Sequence, residues 1–179
     1  MLAGVGIVQK IVTGIEPGDT LEAEHRSQTL EWLASTDDVF RRVKPAEPDQ
    51  HLVSYVVPVD ADGNVLLVDH INAGLWLPPG GHVEPGEDPH DTAVREVAEE
   101  LGLTATPDEA PLFLTVTRTV GIDSGHTDVS LWYVLHCDRN QPLTPDRGEF
   151  HRVRWWSPAE IEPARCDPHF PRFLRKLRG

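Results

Sequence analysis

Apolar and polar positions recur with two different periods along the chain, and the changes of period mark its elements. Segments 52–59 (LVSYVVPV) and 64–70 (NVLLVDH) read as strands, with Asp62-Gly63 between them as a hairpin signal. Segments 112–120 (LFLTVTRTV), 128–136 (DVSLWYVLH) and 152–156 (RVRWW) read as three more strands, the first two separated by a loop from Gly121 to Thr127. Between the two sets, Val94, Val97, Ala98 and Leu101 recur at helical spacing. Asp88 can cap that helix, Pro89 suits its first position and Asp91 favours its N-terminal end. Gly102 suits the position just past the last turn, so the spacing predicts a helix over 89–101.

The flanks read as helical. Residues up to about 44 carry Leu21, Leu30 and Leu33 among many polar positions, Asp19 and Glu22 stand at capping-box spacing, and Thr36 is placed to cap a second short turn through Val39 and Phe40. Pro45 and Pro48 then mark a linker. Ser157, Pro158 and Glu160 form another helix start, and Phe170, Phe173, Leu174 and Leu177 form the apolar stripe of a final helix. Its Arg172, Arg175, Lys176 and Arg178 are expected to make a solvated face that complements the helix dipole. The order predicts an α/β fold with a mixed sheet between helices. A helical extension and linker over 1–48 precede a core domain over 49–179.

The polar side of the central helix carries the chemistry. Glu96, Glu99 and Glu100 lie three and four residues apart, where like charges cost roughly a few tenths of a kcal/mol per pair. Most charge runs on helices are solvated faces. Carboxylate oxygens are also the hard ligands that Mg²⁺ or Mn²⁺ prefers, and Arg95 is spaced to orient one of them or to pair with Glu87. Gly80 and Gly81 just upstream allow backbone to approach a metal or phosphate closely.

Gly81, Glu87, Arg95, Glu96, the aliphatic Val97, Glu99, Glu100, Gly102 and Leu103 stand together at spacings that resemble, without a departure, the signature of the Nudix hydrolases. The resemblance implies that family's α/β/α sandwich. It also implies hydrolysis of a diphosphate linkage in a nucleoside diphosphate derivative, with water attacking phosphorus and Mg²⁺ or Mn²⁺ as cofactor. By position, Glu96, Glu99 and Glu100 match the family's metal-binding glutamates, the Gly80 or Gly81 carbonyl matches a backbone ligand, and Glu87 with Arg95 matches the supporting pair. Glu96 is the first candidate for the base that takes a proton from water. Glu149 occupies the place before a late strand where relatives often carry a further metal-binding or base-like glutamate.

Subclass marks are absent. Arg118 and Thr119 stand where ADP-ribose hydrolases of the family tend to have proline, and Val120 and Gly121 where dinucleoside polyphosphate hydrolases tend to have tyrosine. The rival reading is a Nudix-like nucleotide sensor without turnover, but such domains usually lack one or more of the acidic positions present here. The related isomerase chemistry needs a cysteine early in the core, and residues 51–110 contain none. Arg118, His82 and His126 are weaker candidates for substrate contact, with Asp128 beside His126. Trp76 and Trp132 suit core packing better than base stacking.

Composition narrows the partners. A formal charge of -13 on 179 residues argues against a general nucleic-acid or membrane-surface binder. A nucleotide-like diphosphate substrate remains compatible, because bound cations invert the local field. Two cysteines make no disulfide framework, and the mildly apolar N-terminal stretch is broken by Lys10 and Gly14, so the expected compartment is the cytoplasm. The N-terminal segment is expected to pack on the core, with a homodimer as a second use.

Overall fold

The computed structural model describes residues 3–40, 49–122 and 124–179; the expected linker prolines Pro45 and Pro48 fall outside them. Among the described residues, four α-helices surround one seven-stranded mixed sheet. The chain begins with α1 (Ala3–Gly14) and α2 (Thr20–Ser35), then enters β1 (Gln50–Val59) and β2 (Val65–His70). The turn between the strands is held by Asp60, whose Oδ1 accepts the N–H groups of Asp62 and Asn64 at 2.8 Å each, while Gly63 takes φ 78°. Two short strands unforeseen by the pattern, β3 (Leu75–Leu77) and β4 (Gly80–His82), lead to α3 (Pro89–Leu101). The remainder is β5 (Phe113–Arg118), β6 (Thr127–His136), β7 (Phe150–Trp156), a 3₁₀ turn at Pro163–Arg165 and α4 (Phe170–Arg178).

β1 is the hinge of the sheet. One edge pairs in parallel with β6 from Gln50↔Thr127 to Val59↔His136. The other edge holds β4 at Val53–Tyr55 and meets β2 only at Val59. β2 continues the sheet, with β3 and β7 antiparallel to it. Because β4 leaves the sheet as soon as it has paired with β1, the chain is delivered to the start of α3 beside the middle of β1. There Ser54 Oγ donates to the Pro89 carbonyl at 2.7 Å.

One apolar cluster joins one face of the sheet to α1, α2 and α3 through Val8, Val12, Leu33, Leu66, Val97, Leu101 and Leu131. The other face packs on α4 through Trp132, Phe113, Phe170, Phe173 and Leu174. Trp155 and Trp156 fall on opposite sides, as strand alternation requires. No helix among the described residues is long and apolar enough to cross a membrane.

Three local expectations change. Asp19 caps α2, accepting the Glu22 N–H at 2.8 Å, but the buried side of that helix is Glu22, His25, Thr29 and Leu33, while Leu21 is exposed. The helix lies along the outer edge of β5 and supplies polar partners to it: Glu22 Oε1 accepts the Leu114 N–H at 3.1 Å and His25 Nδ1 the Val116 N–H at 3.3 Å. Thr36 caps a bend rather than a helical turn, and Ser157–Glu160 closes as a single turn, with Glu160 accepting the Ser157 N–H at 2.9 Å. Arg172 and Lys176 are not a solvated face. They pair with Asp19 at 2.8 Å and with Glu22 at 2.8 Å.

Candidate active site

α3 begins and ends where its caps put it. Asp88 Oδ1 accepts the His90 N–H at 2.9 Å, and Gly102 takes φ 68° so that its N–H reaches the Ala98 carbonyl at 3.0 Å. Its buried face, however, is turned from the stripe of valines. Ala93, Val97 and Leu101 are buried, Val94 is half-buried and Ala98 exposed, while Glu96 and Glu100 are buried with the apolar residues. The helix therefore presents two of its three glutamates inward. Glu99 points to solvent with its side chain 62% exposed.

Arg95 and Glu87 lock the loop before α3 to the helix. The guanidinium grips Glu87 with both oxygens, Nε to Oε1 at 2.9 Å and Nη2 to Oε2 at 3.0 Å, and Thr92 Oγ1 donates to the same carboxylate at 2.7 Å. These bonds hold the Glu87 carboxyl down at about 2 and push the guanidinium pKa up. Arg95 Nη1 also donates to Glu96 Oε1 at 2.6 Å and reaches Glu99 Oε2 at 3.4 Å. Both sequence expectations for Arg95 are thus met in one side chain: it pairs with Glu87 and orients Glu96.

The glycine pair fits around the carboxylates. A Cβ on Gly81 would fall onto the Glu96 carboxylate, and one on Gly80, whose φ is 149°, would fall onto the Ser54 carbonyl oxygen. The Gly80 N–H donates to Glu100 Oε2 at 2.8 Å. Glu149, exposed on the loop before β7, adds its charge to both Glu100 and Glu96. Burial pushes the Glu96 carboxyl up, against Arg95. Burial and the charge of Glu96 push Glu100 up to about 9, opposed by the Gly80 N–H. Carboxylates crowded together at a buried helix face are an oxygen donor set that a hard divalent cation would stabilise, so Glu96 and Glu100, with Glu149 beside them, fit such an ion.

These groups line a cleft of about 1730 Å³, which also takes in Gly80, Gly81, His82, Arg118 and His126. Arg118 is 61% exposed and pairs with Asp49 at 2.8 Å. Trp76 and Trp132 are core residues, edge-on to Trp156 at 5.0 Å and stacked on Phe173 at 5.4 Å respectively. Among the cleft residues that escaped the sequence reading are His51, and Asp167, whose buried carboxyl is raised to about 6 mainly by desolvation. Nothing local marks either one. Each reaches the cleft through strand register or chain return.

Seven strands in one mixed sheet, a helix carrying Arg95 and the inward glutamates, and a glycine pair closed over them make up one α/β domain with its acidic cleft. Residues 49–177 match the family model for the NUDIX domain, and the chain belongs to the Nudix hydrolase family. It is 35% identical over 95 residues to an uncharacterized Nudix hydrolase, orf19, of Rhodococcus erythropolis, with 51% of each chain covered. The chain thus spans about half the length of that relative. A MutT-like protein of Streptomyces ambofaciens is 29% identical over 133 residues, covering 74% of this chain and 80% of the other. Among solved structures, a MutT protein from Methanosarcina mazei Go1 superposes with a TM-score of 0.62 at 21% identity, covering 74% of this chain and 96% of that one, a likeness of fold.

Proposed function

We propose that the chain is a divalent-metal-dependent hydrolase that cleaves a diphosphate linkage in a nucleoside diphosphate derivative, with water attacking phosphorus. The observation that supports it most is the meeting of Glu96, Glu100 and Glu149 with the Gly80–Gly81 backbone in one cleft. Glu96, Glu100 and exposed Glu99 would hold Mg²⁺ or Mn²⁺, together with a glycine carbonyl. The bound ion would supply charge neutralisation on the diphosphate and a lowered pKa for a water.

The chain's own groups do the positioning. Arg95, fixed by Glu87, holds Glu96 Oε1, and the Gly80 N–H holds Glu100 Oε2. With those oxygens engaged, exposed Glu149 is the better placed carboxylate to take up the proton of the attacking water, in preference to Glu96. Arg118, His82 and His126 line the same cleft and are assigned to substrate contact. The free thiols of Cys137 and Cys166 suit a reducing compartment, the cytoplasm in this reading.

Phosphate release from nucleoside triphosphates, nucleotide sugars, ADP-ribose and dinucleoside polyphosphates, with Mg²⁺ or Mn²⁺, tests the proposal. Turnover should vanish with a chelator and in Glu100→Gln, and should fall roughly tenfold or more in Glu149→Gln. Activity that survives prolonged chelation would overturn the metal mechanism. Tight binding of one compound without turnover would make the chain a nucleotide sensor.

A further inference from the structure

A second constellation shares the cleft but none of these donors. β4, β1 and β6 lie side by side, and their registers set Val53 opposite His82 and His51 opposite Asp128; His126 immediately precedes β6. Three imidazoles from three parts of the chain thereby meet in a near-equilateral triangle, with ring centroids 5.7 Å (His51–His82), 5.7 Å (His51–His126) and 5.6 Å (His82–His126) apart. One ring nitrogen of each lies within 4.8 Å of the others. Asp128 Oδ1 completes the group, 3.2 Å from His126 Nε2 and 3.7 Å from His82 Nε2. His51 is buried, while His82 and His126 are half-buried and border the cleft, which gives a small ion access.

Packing alone does not account for this arrangement. Three stacked or edge-on rings can form a cluster without bringing their nitrogens together, whereas here one nitrogen of each ring lies within 4.8 Å of the others and a carboxylate oxygen lies beside two of them. The Thr119 hydroxyl lies 3.4 Å from His126 Nδ1, on the side away from Asp128, so that ring has the outer partner that orients a metal-bound imidazole. We propose that His51, His82 and His126, with Asp128, form a second cation site, built for a divalent transition ion of borderline softness such as Zn²⁺.

The donor chemistry separates it from the carboxylate site. Imidazole suits Zn, Cu, Fe and Ni, whereas a set of carboxylates suits Mg and Mn. Zn–N bonds of about 2.0–2.1 Å and a tetrahedral shell require the nitrogens to draw together by on the order of 1 Å. Rotation of the half-buried His82 and His126 rings can supply that movement. The inference stands whether or not the chain hydrolyses a diphosphate, since it uses none of the carboxylates assigned to Mg²⁺ or Mn²⁺ and has a different readout.

Titration of the untagged chain with Co²⁺ tests it, because Co²⁺ in a four-coordinate nitrogen-rich site absorbs strongly in the visible. The expected result is one equivalent with a visible band that Zn²⁺ displaces and millimolar Mg²⁺ does not. His82→Gln and His126→Gln should each weaken that binding on the order of 100-fold or more, and Glu100→Gln should leave the band intact. Circular dichroism identifies the folded variants; if one fails to fold, the other carries the test. The proposal is overturned by a band that persists in a folded histidine variant, by its loss in Glu100→Gln, by displacement with Mg²⁺, or by no band in the parent protein.

Discussion

Gly81 is a glycine for lack of space rather than for backbone freedom. Its φ is unremarkable, but a Cβ there would occupy the position of the Glu96 carboxylate, which Arg95 holds from the other side. A Gly81→Ala substitution must therefore push Glu96 off its arginine and out of the cleft, while the fold around it stays in place. Displacements of about 1 Å at a reacting centre can cost about 100-fold in rate. The expected outcome is a loss of that order in metal-dependent phosphate release with a melting temperature within a few degrees of the parent, measured by phosphate assay and circular dichroism. Full turnover in this variant would remove Glu96 from the reacting centre. At this scale the sequence is legible where the chemistry is local: Glu87, Arg95, Glu96 and Glu100 come from one loop and one helix, so their spacing alone brings them together. His51 and Asp167 are illegible because β-strand register and the return of the chain before α4 decide where they go.

Among the elements, α3 shows most clearly how far a periodic pattern reaches. Its limits follow from Asp88, Pro89 and Gly102, and they are found where these residues put them. Its rotation does not follow from hydrophobicity, since Glu96 and Glu100 face inward in place of Val94 and Ala98. A helix whose buried side includes two carboxylates needs compensation from its neighbours, and the Gly80 N–H and Arg95 give it. The clamp of Arg95 on Glu87 then joins the preceding loop to this helix, and it has a pH signature. Because the folded Glu87 carboxyl lies near 2, well below its ordinary value, its stabilising contribution is complete above about pH 4.5 and is lost as pH falls through 2. Glu87→Gln should lower the melting temperature at pH 7, and the gap from the parent protein should narrow as pH falls from about 4.5 towards 2. Thermal melts at a series of pH values measure this gap; a constant gap would mean that the clamp does not depend on the charge of Glu87.

Across the whole molecule, α2 and α4 are tied together around the outer edge of the sheet. Glu22 is fully buried, and its two oxygens take the Leu114 N–H of β5, the Gly18 N–H and the Lys176 ammonium from the last turn of α4. Arg172 adds a second link, from α4 to the Asp19 cap of α2. α2 and α4 thus close over opposite sides of one sheet edge, which explains why a helix with few apolar residues stays docked: charge complementarity and an unpaired strand edge replace a greasy stripe. That also explains why the sequence showed the existence of α2 and hid its seat, since a pattern of polar residues is silent about partners more than ninety residues away. Removing the ammonium alone leaves a buried carboxylate with no countercharge, a change that costs about 3–5 kcal/mol when a buried pair loses one member. In a chain of this size 1 kcal/mol moves the melting temperature by roughly 2–4 °C, so Lys176→Ala should melt on the order of 10 °C lower. The double variant Glu22→Gln, Lys176→Met should recover much of that loss, because the amide keeps an oxygen for the Leu114 N–H while the uncompensated charge is gone. Melting both variants beside the parent decides the matter: a double variant no more stable than Lys176→Ala would mean that α2 is held by its packing on α1 and β5 and not by the charge pair.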